Sequence, residues 1–398
     1  MLRSHFDHLI GQILGQAPGC SDVLFTVGKR VQAEVHGELR DMAFAQDPGP
    51  LTSRQTEAAA MALMGRNRRL YQDLVRNGSC DLSYEHPNKI RFRVNIFWQQ
   101  GSLAMVLRQL SSTVPTMAQL GLPAQFEGMA KERFGLILVT GATGSGKSTS
   151  LAALIDAINV AKAVHIVTLE DPVEYVHPHK RGTVNQRELG QDFATFSSGL
   201  RAALRQAPKV ILVGEMRDRE TVETAMQAAE TGHLVLGTLH TADTGQTINR
   251  IIGMFDVSEE RLIRQRLAGS LKFVVSQRLM QKEGGGRVAA FEILRNNMQV
   301  REVILVGEYG EKNFYSIVES GSTFGMFTFD QYLLGLYEQG AISRDTALAS
   351  ATDRAKLSLN IDQVRLRRGE AVSDLGALKV DWGYGKPEDE AGSEEKGS

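Results

Sequence analysis

Apolar residues recur at helical spacing through Leu2, Phe6, Leu9, Ile10, Ile13 and Leu14, which predicts an amphipathic helix over residues 2–16 packed on its own domain. The period then shortens. Residues 21–27, 31–39, 80–85, 90–99 and 102–110 read as strands, with a helical stretch around 52–76 between them, so this part of the chain is expected to form a small α+β unit. Within 90–99, alternation puts Ile90, Phe92, Val94, Ile96 and Trp98 on one face and Arg91, Arg93 and Asn95 on the other, which would set two guanidinium groups side by side on an open face.

The pattern changes again at Gly135. Short, largely apolar runs at 136–140, 164–169, 210–213 and 234–238 are each followed by polar or small residues and then a helical pattern. Runs without alternation belong to strands buried on both faces, so the expected fold is α/β, a largely parallel sheet covered by helices. In such sheets ligands bind beyond the carboxyl ends of the strands. Residues 256–370 read as mostly helical, and the acidic, polar end of the chain reads as a disordered tail. The expected division is therefore 1–111, a linker at 112–122, a nucleotide-type core with a helical C-terminal part at 123–370, and a tail at 371–398.

Composition narrows the picture. With 398 residues, 42% of them hydrophobic, the chain can bury ordinary cores in two or three domains. A net charge of −1 supplies no basic field, so nucleic acid is not an expected partner. The isolated Cys20 and Cys80 fit a reducing compartment and cannot build a four-cysteine zinc site. Arg3, His5, Asp7 and His8 stand where a signal peptide needs an apolar core, and a cytoplasmic location is expected.

The chemistry concentrates where the apolar runs end. Gly141, Ala142, Thr143, Gly144, Ser145, Gly146, Lys147 and Ser148, followed by Thr149, form a complete glycine loop between a strand and a helix. The glycines let the backbone turn so that its N–H groups and the helix N-terminus face phosphate oxygens; Lys147 reaches the terminal phosphates and Ser148 can hold Mg²⁺. Such a loop binds a nucleoside triphosphate without naming the work done. The next run ends in Glu170 and Asp171, where a carboxylate can orient or deprotonate water attacking a phosphate, or simply be a solvated loop acid. The run 210–213 delivers Glu215 toward the cation, and Arg217 beside it either answers phosphate charge or pairs with an acid. His233 and His240 open and close the last run; His240, at the carboxyl edge of the same sheet, can reach a γ-phosphate by a hydrogen bond.

Four blocks therefore stand in order: 141–149, 168–174, 210–215 and 230–241. They resemble the Walker A, Asp box, Walker B and His box of the secretion ATPase superfamily, and most closely its type IV pilus retraction motors of the PilT and PilU type. The segments 21–28, 91–95, 184–188, 200–205 and 286–292 add to the likeness, which covers roughly residues 1–370. The resemblance implies a RecA-like ATPase domain behind a smaller PAS-like N-terminal domain, a homohexameric ring, ATP and Mg²⁺ as ligands, and a place in the cytoplasm at the inner membrane beside a pilus platform protein. It also implies roles. Lys147 binds phosphate, Ser148 and Glu215 organise Mg²⁺, Glu170 activates water and His240 lies at the γ-phosphate. Arg93 and Arg108, with Arg91 as a third candidate, would supply the arginines of the N-terminal domain. Retraction is favoured over assembly because pilus extension and type II secretion ATPases generally add an N-terminal domain and a four-cysteine zinc subdomain. An accessory subunit that binds ATP beside a paralogous motor, and a DNA or effector secretion ATPase, are the other readings. The chain departs from the retraction motors at 298–305, where only part of an Ala-Ile-Arg-Asn-Leu-Ile-Arg-like segment remains.

Overall fold

The computed structural model describes residues 1–35, 37–44, 49–110 and 113–370; the acidic tail and Ser111 and Ser112, at the expected boundary of domain and linker, lie outside the described residues. The chain divides into two compact units, one made of Met1–Met280 with Arg287–Phe329, the other of Gln281–Gly286 with the chain from Asp330 onward.

The first unit opens with helix α1 (Arg3–Gln16), which buries Phe6, Ile10 and Ile13 at the predicted spacing. The Phe6 ring packs 5.5 Å from Tyr84 and 5.7 Å from Phe25, and the Tyr84 hydroxyl donates to Asp7 at 2.8 Å. There follow β1 (Asp22–Phe25), β2 (Gln32–Val35), β3 (Glu38–Asp41), α2 (Ser53–Met64), α3 (Arg68–Asn77), β4 (Ser79–Glu85), β5 (Arg91–Gln99) and β6 (Ser102–Gln109). Their six strands form one sheet in the order β3-β2-β1-β6-β5-β4. Two expectations need revision. The strand expected over 31–39 is a hairpin, β2 and β3, that turns at Gly37 with φ 85°. The helix expected around 52–76 is two, because Gly65 ends α2 and the Asn67 side chain caps α3. In β5, Phe92, Val94 and Ile96 are fully buried as the alternation requires, but Trp98 is half exposed, since the strand is by then running into its turn at Gln100 and Gly101.

The core continues through α4 (Gln125–Lys131), β7 (Gly135–Thr140), α5 (Lys147–Ala161), β8 (His165–Glu170), β9 (Thr183–Glu188), α6 (Phe196–Ala203), β10 (Val210–Val213), α7 (Arg219–Glu230), β11 (Leu234–Leu239), α8 (Thr244–Ile252), α9 (Glu260–Ser270), β12 (Leu271–Gln281), β13 (Arg287–Arg295), α10 (Met298–Val306) and α11 (Phe314–Ser320). Seven strands make the second sheet in the order β13-β12-β7-β11-β10-β8-β9, parallel from β12 to β9. The four apolar runs are β7, β8, β10 and β11, and the α/β class holds. The mostly helical reading of 256–370 does not hold throughout, because β12 and β13 lie inside it. Phe273, Val274, Val275 and Ser276 of β12 are all buried, and an apolar run without alternation cannot be told from a buried helix by period.

Register aligns the sheet's carboxyl ends. Leu239 pairs with Thr140, Gly237 with Val213, and Val213 with Leu169, so the residues that follow, Gly141, His240, Gly214 and Glu170, emerge along one edge. The second unit carries α12 (Phe329–Glu338), α13 (Arg344–Ala349) and α14 (Arg354–Arg367). Within it the Asp330 carboxylate accepts from the backbone N–H groups of Thr352 and Asp353, both at 2.7 Å.

Candidate nucleotide site

The glycine loop runs from the fully buried β7 into α5. Gly141, Gly144 and Gly146 have φ of 140°, 79° and 91°, the region that favours glycine. Two are also fixed by crowding: a Cβ on Gly141 would lie 2.3 Å from the Gln277 carbonyl oxygen of β12, and one on Gly146 would lie 2.8 Å from the Gln277 side-chain Nε2. The loop is therefore held against the neighbouring strand as well as curved. Lys147 Nζ donates to the carbonyls of Gly141 and Ala142 at 2.7 and 3.0 Å, which lays the ammonium back over the loop. Burial pushes its pKa down, while the charges of Glu215 and Glu174 act in the opposite direction.

Gly146, at the N-terminus of α5, gives no side-chain cap, and the buried hydroxyl of Ser145 has no hydrogen-bond partner. Thr143, Gly144 and Ser148 are exposed. Unfilled backbone donors, an unpaired hydroxyl and a lysine at one helix start fit a phosphate chain. Thr149, one step along α5, places its hydroxyl 3.1 Å from that of Tyr175.

Beside the loop lies a cleft of about 80 Å³ whose lining includes Ser148, Glu170, Asp171, Glu174, Glu215 and Thr238. Glu170 Oε1 accepts from Thr168 Oγ1 at 2.5 Å and from Gln186 Nε2 at 3.0 Å. Burial raises its pKa, and these two hydrogen bonds pull it back. Asp171 is likewise raised by burial, with the guanidinium groups of Arg93 and Arg217 opposing. Glu215 is bonded by Arg217 and lies 3.1 Å from His240 Nε2. Arg217 thus pairs with an acid, Glu215, one of the two readings the sequence left open. His233 is elsewhere, its Nδ1 bonded to the Ala228 carbonyl at 3.0 Å at the end of α7.

The arginines separate. Arg93 is half exposed, 3.8 Å from Asp81, and shares a second cleft with Asp171, Pro172 and Glu188. Arg108 stands directly across from Arg93 in the β5–β6 register and donates from Nε to Asp22 at 2.8 Å. Arg91 does not lie on an open face: its side chain is 17% exposed, bonded to Glu188 and to the Val173 carbonyl, because β9 packs over this end of β5. Sequence reasoning gave no role to Thr168, Gln186 and Glu188, which hold the Asp-box residues in place. The signal was available in the alternation Val184, Gln186, Glu188, one face of β9.

A parallel sheet with a glycine loop at the end of one strand and carboxylates at the ends of its neighbours defines a P-loop nucleoside triphosphatase. The chain belongs to the family described as "Type II/IV secretion system protein", whose sequence pattern matches residues 30–312. It is 42% identical over 342 residues to a Pseudomonas aeruginosa protein described as "Type IV pilus retractation ATPase PilT", covering 86% of this chain and 96% of that one. It is 42% identical over 326 residues to a "Twitching motility protein" of Neisseria gonorrhoeae, covering 81% and 85%. Its fold matches the crystal structure of the pilus retraction motor PilT with bound ADP at a TM-score of 0.77 and 41% identity, over 88% of this chain and 98% of that one.

Proposed function

We propose that this ATPase powers the retraction of a type IV pilus. It would work as a homohexamer, in the cytoplasm at the inner membrane, against a pilus platform protein and in company with a paralogous motor. The observation that carries the reading is the convergence of Lys147, Ser148, Glu170, Glu215 and His240 on one sheet edge, in a chain whose relatives are named for retraction and twitching. The expected division, a PAS-like layer over 1–111, a linker at 112–122, a RecA-like core over 123–370 and a tail at 371–398, is part of this reading. The six-stranded N-terminal sheet and the parallel core sheet support it.

Lys147 and the loop N–H groups hold the phosphates. Ser148 and Glu215 would hold Mg²⁺, which when bound would supply positive charge against the transferring group. Glu170 sits in a water-poor cleft where a carboxylate of raised pKa is a stronger base, and it orients and deprotonates water. His240 senses the γ-phosphate beside Glu215. Arg93 and Arg108 stabilise charge on the phosphates of a neighbouring subunit, so closure of one domain on another gates hydrolysis and the rotation is the stroke.

Purified protein is expected to hydrolyse ATP steadily, and Glu170→Gln to lose turnover while still binding a fluorescent ADP analogue. Cells lacking the gene should carry pili that do not retract. Binding without turnover in any oligomeric state would replace the motor reading with an accessory one, and bald cells would replace retraction with assembly.

A further inference from the structure

Glu188 closes β9, and four donors meet on its carboxylate. Oε1 accepts from Ser83 Oγ of β4 at 2.6 Å and from Gln191 Nε2 at 2.5 Å. Oε2 accepts from Arg91 Nη2 of β5 at 3.3 Å and from the backbone N–H of Val173 at 3.2 Å. Arg91 also donates through Nη1 to the Val173 carbonyl at 3.3 Å. Both backbone polar groups of Val173 are therefore gripped by one ion pair, with one partner on the N-terminal sheet and the other on the core sheet.

The location matters more than the pairing. Val173 is 5% exposed and follows Glu170, Asp171 and Pro172 in the loop that carries the carboxylate assigned to water. Gln186 and Glu188 lie on the same face of β9. Gln186 Nε2 bonds the Glu170 carboxylate and, at 2.8 Å, the Tyr175 carbonyl. One strand face thus holds the loop at two points, and the second point is shared with β4 and β5. A buried pair of this kind adds little to stability, because desolvation offsets most of its attraction. It does fix geometry, because an ion pair with all its bonds made tolerates little displacement.

We propose that Glu188 and Arg91 are positioning residues for ATP hydrolysis, transmitting the orientation of the N-terminal sheet through Val173 to the Glu170 carboxylate. The inference rests on the reading of Glu170 as the group that acts on water. Rotation of the N-terminal sheet must then either carry the loop with it or release the pair, and in both cases the carboxylate moves relative to the phosphate loop.

The test compares full-length protein with Glu188→Gln, Arg91→Lys and Ser83→Ala, measuring kcat, KM, affinity for a fluorescent ADP analogue and melting temperature. A glutamine at 188 turns an amide NH₂ toward two of the donors, and a lysine at 91 cannot bond the carboxylate and the carbonyl together. Glu188→Gln and Arg91→Lys should each lower kcat by roughly tenfold to a hundredfold, the loss expected when a reacting group is displaced by about 1 Å, with ADP affinity changed less than about twofold. The double variant should be no worse than the poorer single one, since both break one linkage. Ser83→Ala should give a smaller fall of the same kind, and it carries the test if Glu188→Gln does not fold. Unchanged kcat in the variants, or a fall that tracks lost ADP affinity or lowered melting temperature, overturns the proposal and leaves the motor reading standing. Absence of turnover in the unaltered protein overturns both.

Discussion

Glu170 shows what a reactive carboxylate demands of the fold around it. Burial raises its pKa above the unfolded value, so between the two values the folded state binds more protons than the unfolded one. Stability therefore falls as pH rises through that window, and the penalty is fully present above the folded pKa. Replacing the carboxylate by an amide whose oxygen still accepts from Thr168 and Gln186 removes that penalty. Glu170→Gln is therefore expected to stabilise the protein at pH 8. The gain should vanish below the unfolded pKa, where both states carry a neutral acid. Melting temperatures of the two proteins across pH decide this, and an equal gain at acid pH would show that the effect is not ionisation. At this scale the sequence was readable where chemistry demands a residue type in a fixed sequence context. The glycine loop, Glu170, Glu215 and His240 all fall on the predicted edge, and Glu215 and His240 are within bonding distance. Arg91 was misplaced because alternation gives the face of a strand and says nothing about what later covers it.

At the scale of elements, the legible strands were those with a clear signal of either kind, alternation in β4, β5 and β6 or a short apolar run before a polar loop in the core. β7, β8, β10 and β11 are largely apolar and buried, and some of the helices that follow have clear caps, such as Asp218 accepting from Thr221 N–H at the start of α7. β9 was missed because it is a polar edge strand, Thr-Val-Asn-Gln-Arg-Glu, whose face is specified by the Asp-box loop rather than by an apolar core. That loop gives β9 its consequence. Gln186 donates to Glu170 and to the Tyr175 carbonyl, and its Oε1 accepts from the His177 N–H at 2.8 Å. Without the amide, Glu170 keeps the Thr168 hydroxyl and the Glu174 backbone as stabilising partners but loses a third, and its pKa rises further, because hydrogen bonds to the charged form are what lower it. Gln186→Ala should lower kcat, and the acid limb of its kcat–pH profile should move to higher pH relative to the unaltered protein. An acid limb that stays in place would mean that the amide holds the loop without tuning the base.

For the whole molecule, the arrangement of the N-terminal arginines makes the proposed action of one subunit on the next testable. Arg108 leans on Asp22 with its side chain 68% exposed, and Arg93, though it senses Asp171, is half open to solvent beside Asp81. Directly opposed like charges on neighbouring strands are unfavourable, so an anion lying over both would relieve a cost that the isolated chain bears. In a closed ring, the phosphates held by one subunit would supply it to the arginines of the next. Arg108→Ala and Glu170→Gln should each be nearly inactive alone, because the first spoils the arginine side of every interface and the second the carboxylate side. Mixed before assembly in equal amounts, they should regain activity, since about one interface in four then joins an intact Glu170 to an intact Arg108. Recovery should rise with the time allowed for subunit exchange and be absent when preformed rings are mixed briefly. If both carboxylate and arginine served one subunit's own nucleotide, no mixture would recover, because every subunit would carry one lesion. ATPase rate against mixing ratio separates the two, with a maximum near equal amounts for action across subunits and a flat line near zero for action within one.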